Sequence, residues 1–156
     1  MSAKRAATAV SPARALAFEV VQATFEQGAF TERAFRKAAD ERRLAGRDRA
    51  QAQRLAYGAV QRCGTADAAI ERLTERSTRL LDPPVLTGLR LGLYELLFAD
   101  GTPEHAAVDQ AVELVKHAGA GHAAGLVCVT SDAEAKGSRR RPGSARGWLA
   151  FVLAGW

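Results

Sequence analysis

The chain of 156 residues has few β-branched side chains, with 1 Ile, 11 Val and 9 Thr. Sandwiches, barrels and long parallel sheets draw their strands from such residues, so those folds are excluded. Cysteine is equally scarce. Cys63 and Cys128 stand with three scattered histidines, His105, His117 and His122, and form neither a disulfide framework nor a metal-ligand spacing. The longest apolar run, Trp148 to Trp156, is about half of what a bilayer span needs. The basic start, Met1-Ser2-Ala3-Lys4-Arg5, is not followed by the apolar core of a signal peptide. A chain of the reducing cytoplasm is expected, with no membrane, metal or cofactor.

What is abundant is helix-forming. The chain holds 33 Ala, 16 Leu, 18 Arg, 10 Glu, 6 Gln, 4 Lys and 1 Met, together more than half of its length. Leu, Ile, Val and Phe number only 34, so the core is real but modest. The net charge is +5 and rests on arginine rather than lysine. Two readings account for that excess. Arginine's planar fork suits phosphate, and a GC-rich coding sequence enriches Arg, Ala and Gly with no function attached.

Helix signals follow one another along the chain. Ser11-Pro12 opens a first helix that stops at Gly28, and a second runs from Thr31 to Leu44. On the second, Ala34, Phe35 and Ala38 face inward, while Arg33, Arg36, Lys37 and Arg43 share an outer arc with Glu32 and Asp40. That arc reads either as a solvated mixed-charge face or as a binding surface. Asp48 with Gln51 resembles a capping box, and Ala52, Leu55, Ala56, Ala59, Val60 and Cys63 form the clearest apolar stripe. Cys63 is expected to be a small buried hydrophobe there. A fourth helix is expected from about Thr65 to Arg76. Asp82-Pro83-Pro84 opens a fifth, apolar on two sides and hence central, where Gly88 and Gly92 allow close approach. Val108, Ala111, Val112 and Val115 mark a sixth, and Gly121 to Val127 starts a seventh. The fold class is all-α, a compact bundle of about seven short helices. Residues 1–10 read as a basic flexible N-terminus, 11–128 as the helical domain and 129–156 as an irregular tail without apolar periodicity.

No GxGxxG or GxxxxGK[ST] phosphate loop, GxSxG elbow or HExxH helix is present. The acid pairs Asp67/Glu71 and Asp109/Glu113 fall on helix faces where solvation explains them. Catalysis by this chain alone is not expected.

Two stretches resemble a known family. Arg47-Asp48-Arg49 followed by Leu55-Ala56-Tyr57-Gly58-Ala59-Val60-Gln61-Arg62 is similar to the third-helix signature of the NusB/RsmB family. Leu89-Arg90-Leu91-Gly92-Leu93-Tyr94-Glu95-Leu96-Leu97-Phe98, continuing through Thr102-Pro103-Glu104-His105 to Val112-Glu113-Leu114-Val115-Lys116, resembles it as well. The likeness covers roughly Arg14 to Val127. Its nearer side is the N-terminal domain of RsmB-type enzymes, which form 5-methylcytosine in small-subunit ribosomal RNA. Its other side is NusB, an antitermination factor that binds boxA RNA with a small-subunit ribosomal protein. Either implies an all-helical fold and RNA binding, and methylation is implied only where a Rossmann-like domain follows. A helical protein-docking module is the alternative of another class. After Gly125-Leu126-Val127 the family continues with an asparagine, whereas this chain has Cys128-Val129-Thr130. A tail that is disordered or non-native, read from another frame, is expected from there.

The family places RNA on the basic N-terminal segment and first helix, which maps onto Lys4, Arg5 and Arg14. No acid precedes Glu19, so these three charges are unopposed. Arg47 and Arg49 add two forks at a helix N-terminus, or else belong to a capping turn neutralised by Asp48. Lys4, Arg5, Arg14, Arg47 and Arg49 are therefore the expected RNA contacts, and Arg14→Ala is expected to leave stability unchanged. His105 reads as a cap or turn-packing residue or an RNA contact. Tyr57 and Tyr94 are expected to pack between helices with the hydroxyl reaching a partner. Base stacking is not indicated, because no aromatic ladder interleaves the cations.

Overall fold

A computed structural model describes residues 9–127. Lys4, Arg5 and the expected tail from Cys128 onward lie outside those residues. Helix α1, Pro12–Gln27, begins as the sequence dictates: Pro12 occupies the first turn, the Arg14 backbone N–H donates to Ser11 Oγ at 3.3 Å, and Gly28 ends it in the left-handed region at φ 64°. Helix α2 spans Thr31–Glu41, three residues shorter than expected, because Arg43 turns at φ 50° before Leu44. Helix α3 spans Gly46–Gln61 with Ala45 as its N-cap. Asp48 is thus the third helical residue. It favours the positive end of the helix dipole there, and the expected capping box is not formed.

Arg62 breaks the helix for a single residue, and α4 runs over Cys63–Thr74. Cys63 therefore opens α4 half-buried instead of ending the α3 stripe. After a 3-10 turn at Thr78–Leu80 come α5, Pro83–Phe98, and α6, Glu104–His117. A second 3-10 turn, Gly121–Ala123, leads into helical residues 124–127, the start of the seventh helix. No strand occurs among the described residues, so the all-α bundle stands. None of their helices is long and apolar enough to cross a membrane.

Helix α5 joins two cores. Leu91 packs with Leu16, Val20, Phe35, Leu55 and Ala56 of the first three helices. Val85, Leu89 and Leu93 pack with Ile70 of α4 and with Ala111 and Val115 of α6. A helix that serves two cores must be apolar on two sides, as its sequence is. Gly88 brings α6 close, since a Cβ there would sit 2.3 Å from Val115 Cγ2.

Candidate nucleic-acid interface

The five expected contact residues fall into different settings. Arg14 sits on the α1 face that meets α5, and its side chain is only 13% exposed. Its Nε donates to Glu95 Oε2 at 3.0 Å, its Nη2 donates to Glu95 Oε1, and its Nη1 donates to Ser11 Oγ at 3.2 Å. Glu95 is 4% exposed, so this fork binds a buried carboxylate and serves the fold. The expected indifference of stability to Arg14→Ala does not fit that geometry. Arg49 is likewise engaged. Its Nη1 donates to Asp40 Oδ1 at 2.9 Å, and its guanidinium lies over the Phe35 ring at 5.7 Å from the centroid. It ties α3 to α2.

Arg47 is different: it is exposed on the first turn of α3 and no carboxylate among the described residues holds it. Together with Arg54 it lines a groove of about 430 Å³ between the first half of α3 and residues 100–102. One acid, Asp100, lines the same groove. Arg54 was not singled out in the sequence, although seven residues after Arg47 it returns to the same face.

Ala9 and Ser11, just ahead of α1, are held by a side chain from α6. Gln110 of α6 is 6% exposed and accepts from Ser11 N–H at 2.9 Å through Oε1, while its Nε2 donates to the Ala9 carbonyl at 3.1 Å. One buried amide thus holds Ala9 and Ser11 at the start of α1.

The remaining candidates are mostly structural. Of the second helix's expected cations, Arg36 is bonded to Glu32 at 2.8 Å and Lys37 lies 4.0 Å from Glu41, while Arg33 is exposed and Arg43 falls beyond the end of α2. Asp67 is not simply solvated, since Arg90 donates to both its oxygens at 2.7 Å while lying over the Phe25 ring at 4.2 Å. Glu71 accepts from Thr78 N–H at 2.8 Å and Oγ1 at 3.2 Å, and the backbone bond foremost holds its carboxyl below the usual range. His105 is exposed as the second residue of α6 behind Pro103, so it does not cap that helix. Tyr57 packs edge-on against Phe35, where burial foremost pushes its hydroxyl up from 10.0. Tyr94 stacks on Phe98 and rests against Gly58, but neither tyrosine hydroxyl has a hydrogen-bond partner among the described residues. No group of three or more His, Cys, Asp or Glu among these residues is placed to hold a metal ion.

Known proteins share this architecture. Over 104 residues the chain is 38% identical to a Mycobacterium tuberculosis protein whose name gives it as a methyltransferase, covering 67% of this chain and 22% of the relative. It is 35% identical over 104 residues to the small-subunit ribosomal RNA methyltransferase B of Synechocystis, again 67% of this chain and 23% of the relative. The chain therefore spans less than a quarter of the length of these enzymes. The transcription antitermination protein NusB of Coxiella burnetii is 33% identical over 81 residues, 52% of this chain and 59% of that protein. Among solved structures, that of the antitermination factors NusB and NusE in complex with dsRNA superposes with a TM-score of 0.72 at 26% identity, covering 80% of this chain and 93% of its counterpart. Residues 11–128 match the model of the NusB family, and with the superposed helices and these relatives in agreement, the chain belongs to the NusB family.

Proposed function

We propose that this chain is a non-catalytic RNA-binding domain, equivalent to the N-terminal ribosomal-RNA-binding part of an RsmB-type 5-methylcytosine methyltransferase. The observation that carries RNA binding is the open cationic edge of α3, where Arg47 and Arg54 project without a carboxylate partner apart from the lone Asp100 in their groove. Lys4 and Arg5 add two more cations ahead of α1. Such contacts supply affinity through phosphate neutralisation and leave sequence choice to other groups. Arg14 and Arg49 support the surface from beneath by holding α1 to α5 and α3 to α2. The methyltransferase side of the family is favoured by the longer match, 104 residues against 81 for the NusB of Coxiella burnetii.

A second reading is a NusB-type antitermination factor that binds boxA RNA together with a small-subunit ribosomal protein. The observation favouring it is the superposition on the antitermination factors NusB and NusE in complex with dsRNA, at a TM-score of 0.72. Phe30, 82% exposed, and Leu80, 78% exposed, would suit a protein partner on either reading. Affinity for a small-subunit ribosomal RNA fragment and for a boxA oligonucleotide, measured side by side, separates the two. Preference for the ribosomal fragment supports the first reading and preference for boxA the second. With S-adenosylmethionine and ribosomal RNA the purified chain is expected to yield no methylated product, and product formation would overturn the non-catalytic role.

A further inference from the structure

Where α3 ends, three planar groups stand in succession. Gly58 has no side chain, and the Tyr94 ring takes the vacated space, so that a Cβ on Gly58 would lie 2.0 Å from Tyr94 Cζ. Tyr94 stacks on Phe98 with centroids 5.8 Å apart and planes 24° apart. The Arg62 guanidinium lies over the Phe98 ring at 5.1 Å from its centroid. Arg49 and Arg90 also lie over rings, but Asp40 and Asp67 hold them. Arg62 is exposed and has no carboxylate partner among the described residues. Its position is set by an aromatic ring alone.

Arg62 also continues the cationic edge of α3. On an ideal helix Arg47, Arg54 and Arg62 fall within an arc of about 80° and extend over ~22 Å. From Gly46 to Arg62 the only acid is Asp48, about 100° from Arg47 around the same ideal helix. Unpaired bases stack on guanidinium planes as they do on aromatic rings, whereas the bases of a duplex are already stacked on each other. A plane already ordered by Phe98 and Tyr94 loses less freedom when a base settles on it.

We infer that this face takes single-stranded RNA, with phosphates on Arg47 and Arg54 and one unpaired base on the outer plane of Arg62. The inference rests on the proposed RNA-binding role and gives it a strand preference. An acidic protein would use the charge of Arg62 but not its plane. That difference is testable by Arg62→Lys, which keeps the charge and removes the plane.

The experiment measures fluorescence anisotropy of a labelled oligouridylate of about ten nucleotides and of an RNA duplex of about 16 base pairs, both at several salt concentrations. Wild type is compared with Arg62→Lys, Arg47→Ala/Arg54→Ala and Lys4→Ala/Arg5→Ala, each checked for an unchanged melting curve. Arg62→Lys is expected to weaken single-strand binding about fivefold or more, leaving duplex affinity and the salt slope as they were. Arg47→Ala/Arg54→Ala should lower affinity for both probes by about tenfold and flatten the slope. If Arg62→Lys binds the oligouridylate as wild type does, or loses both probes equally, the base platform is refuted while RNA binding survives. If only Lys4→Ala/Arg5→Ala impairs binding, the α3 face is not the site. Failure of wild type to bind either probe removes the RNA-binding role and this inference with it.

Discussion

At the residue scale, the magnitude of an ion pair follows its burial. The Arg36 and Glu32 side chains are 69% and 73% exposed, a setting in which pairs contribute about 0 to 1 kcal/mol. Arg14 and Glu95 are 13% and 4% exposed, so removing one partner leaves a charge in the interior. Arg14→Ala is expected to lower the unfolding free energy by about 3 kcal/mol in denaturant titrations. Arg14→Leu/Glu95→Leu should recover most of that loss, because the carboxylate no longer needs a partner. A stability unchanged by Arg14→Ala would show that Glu95 finds water or another donor. Glu71 behaves in the opposite sense to an isolated surface acid. Hydrogen bonds to its ionised form lower its folded pKa, so the stability it contributes is present above the ordinary carboxylate range and disappears as pH falls through the lowered value. Glu71→Gln should therefore flatten the acid limb of the melting temperature against pH, and an identical limb in both proteins would contradict this.

At the scale of elements, the contact of α3 with α5 depends on the absence of a side chain at Gly58. Gly58→Ala is expected to cost about 1 to 3 kcal/mol because Tyr94 must be displaced, and Gly58→Ala/Tyr94→Leu should restore part of it. The order of helices was legible in the sequence for local reasons. Ser11-Pro12, Gly28, Asp82-Pro83 and Gly119 act on the backbone next to them, and the apolar stripes carry the helical period. What escaped was decided by neighbours far along the chain. Glu95 is 81 positions from Arg14, and no periodicity announces that the two meet. The break at Arg62, which moved Cys63 from α3 to α4, comes two residues ahead of the nearest following glycine, Gly64, which lies inside the first turn of α4. Tyr94 and Phe98 share a face of α5, but their meeting with Arg62 depends on how α5 crosses α3. This is why the sequence suggested no stacking surface.

At the scale of the molecule, α5 makes two cores into one cooperative unit. Leu93 is fully buried, and Leu93→Ala should cost about 2 to 5 kcal/mol while the protein still unfolds in a single transition. Two separate transitions would mean that the cores are independent. The cationic residues divide along the same lines. Arg14, Arg49 and Arg90 hold helices together, and Arg47, Arg54 and Arg62 remain open on one edge of α3. The excess of arginine was visible in the composition, yet the division between supporting and open side chains became visible only once the carboxylates had positions. The most direct measurement is the affinity of the purified chain for a single-stranded ribosomal RNA fragment as a function of salt. Four phosphate contacts, by Lys4, Arg5, Arg47 and Arg54, predict that the logarithm of the association constant falls with the logarithm of salt concentration at a slope of about −3. A slope near zero, or no binding at low salt, would contradict RNA binding by this domain.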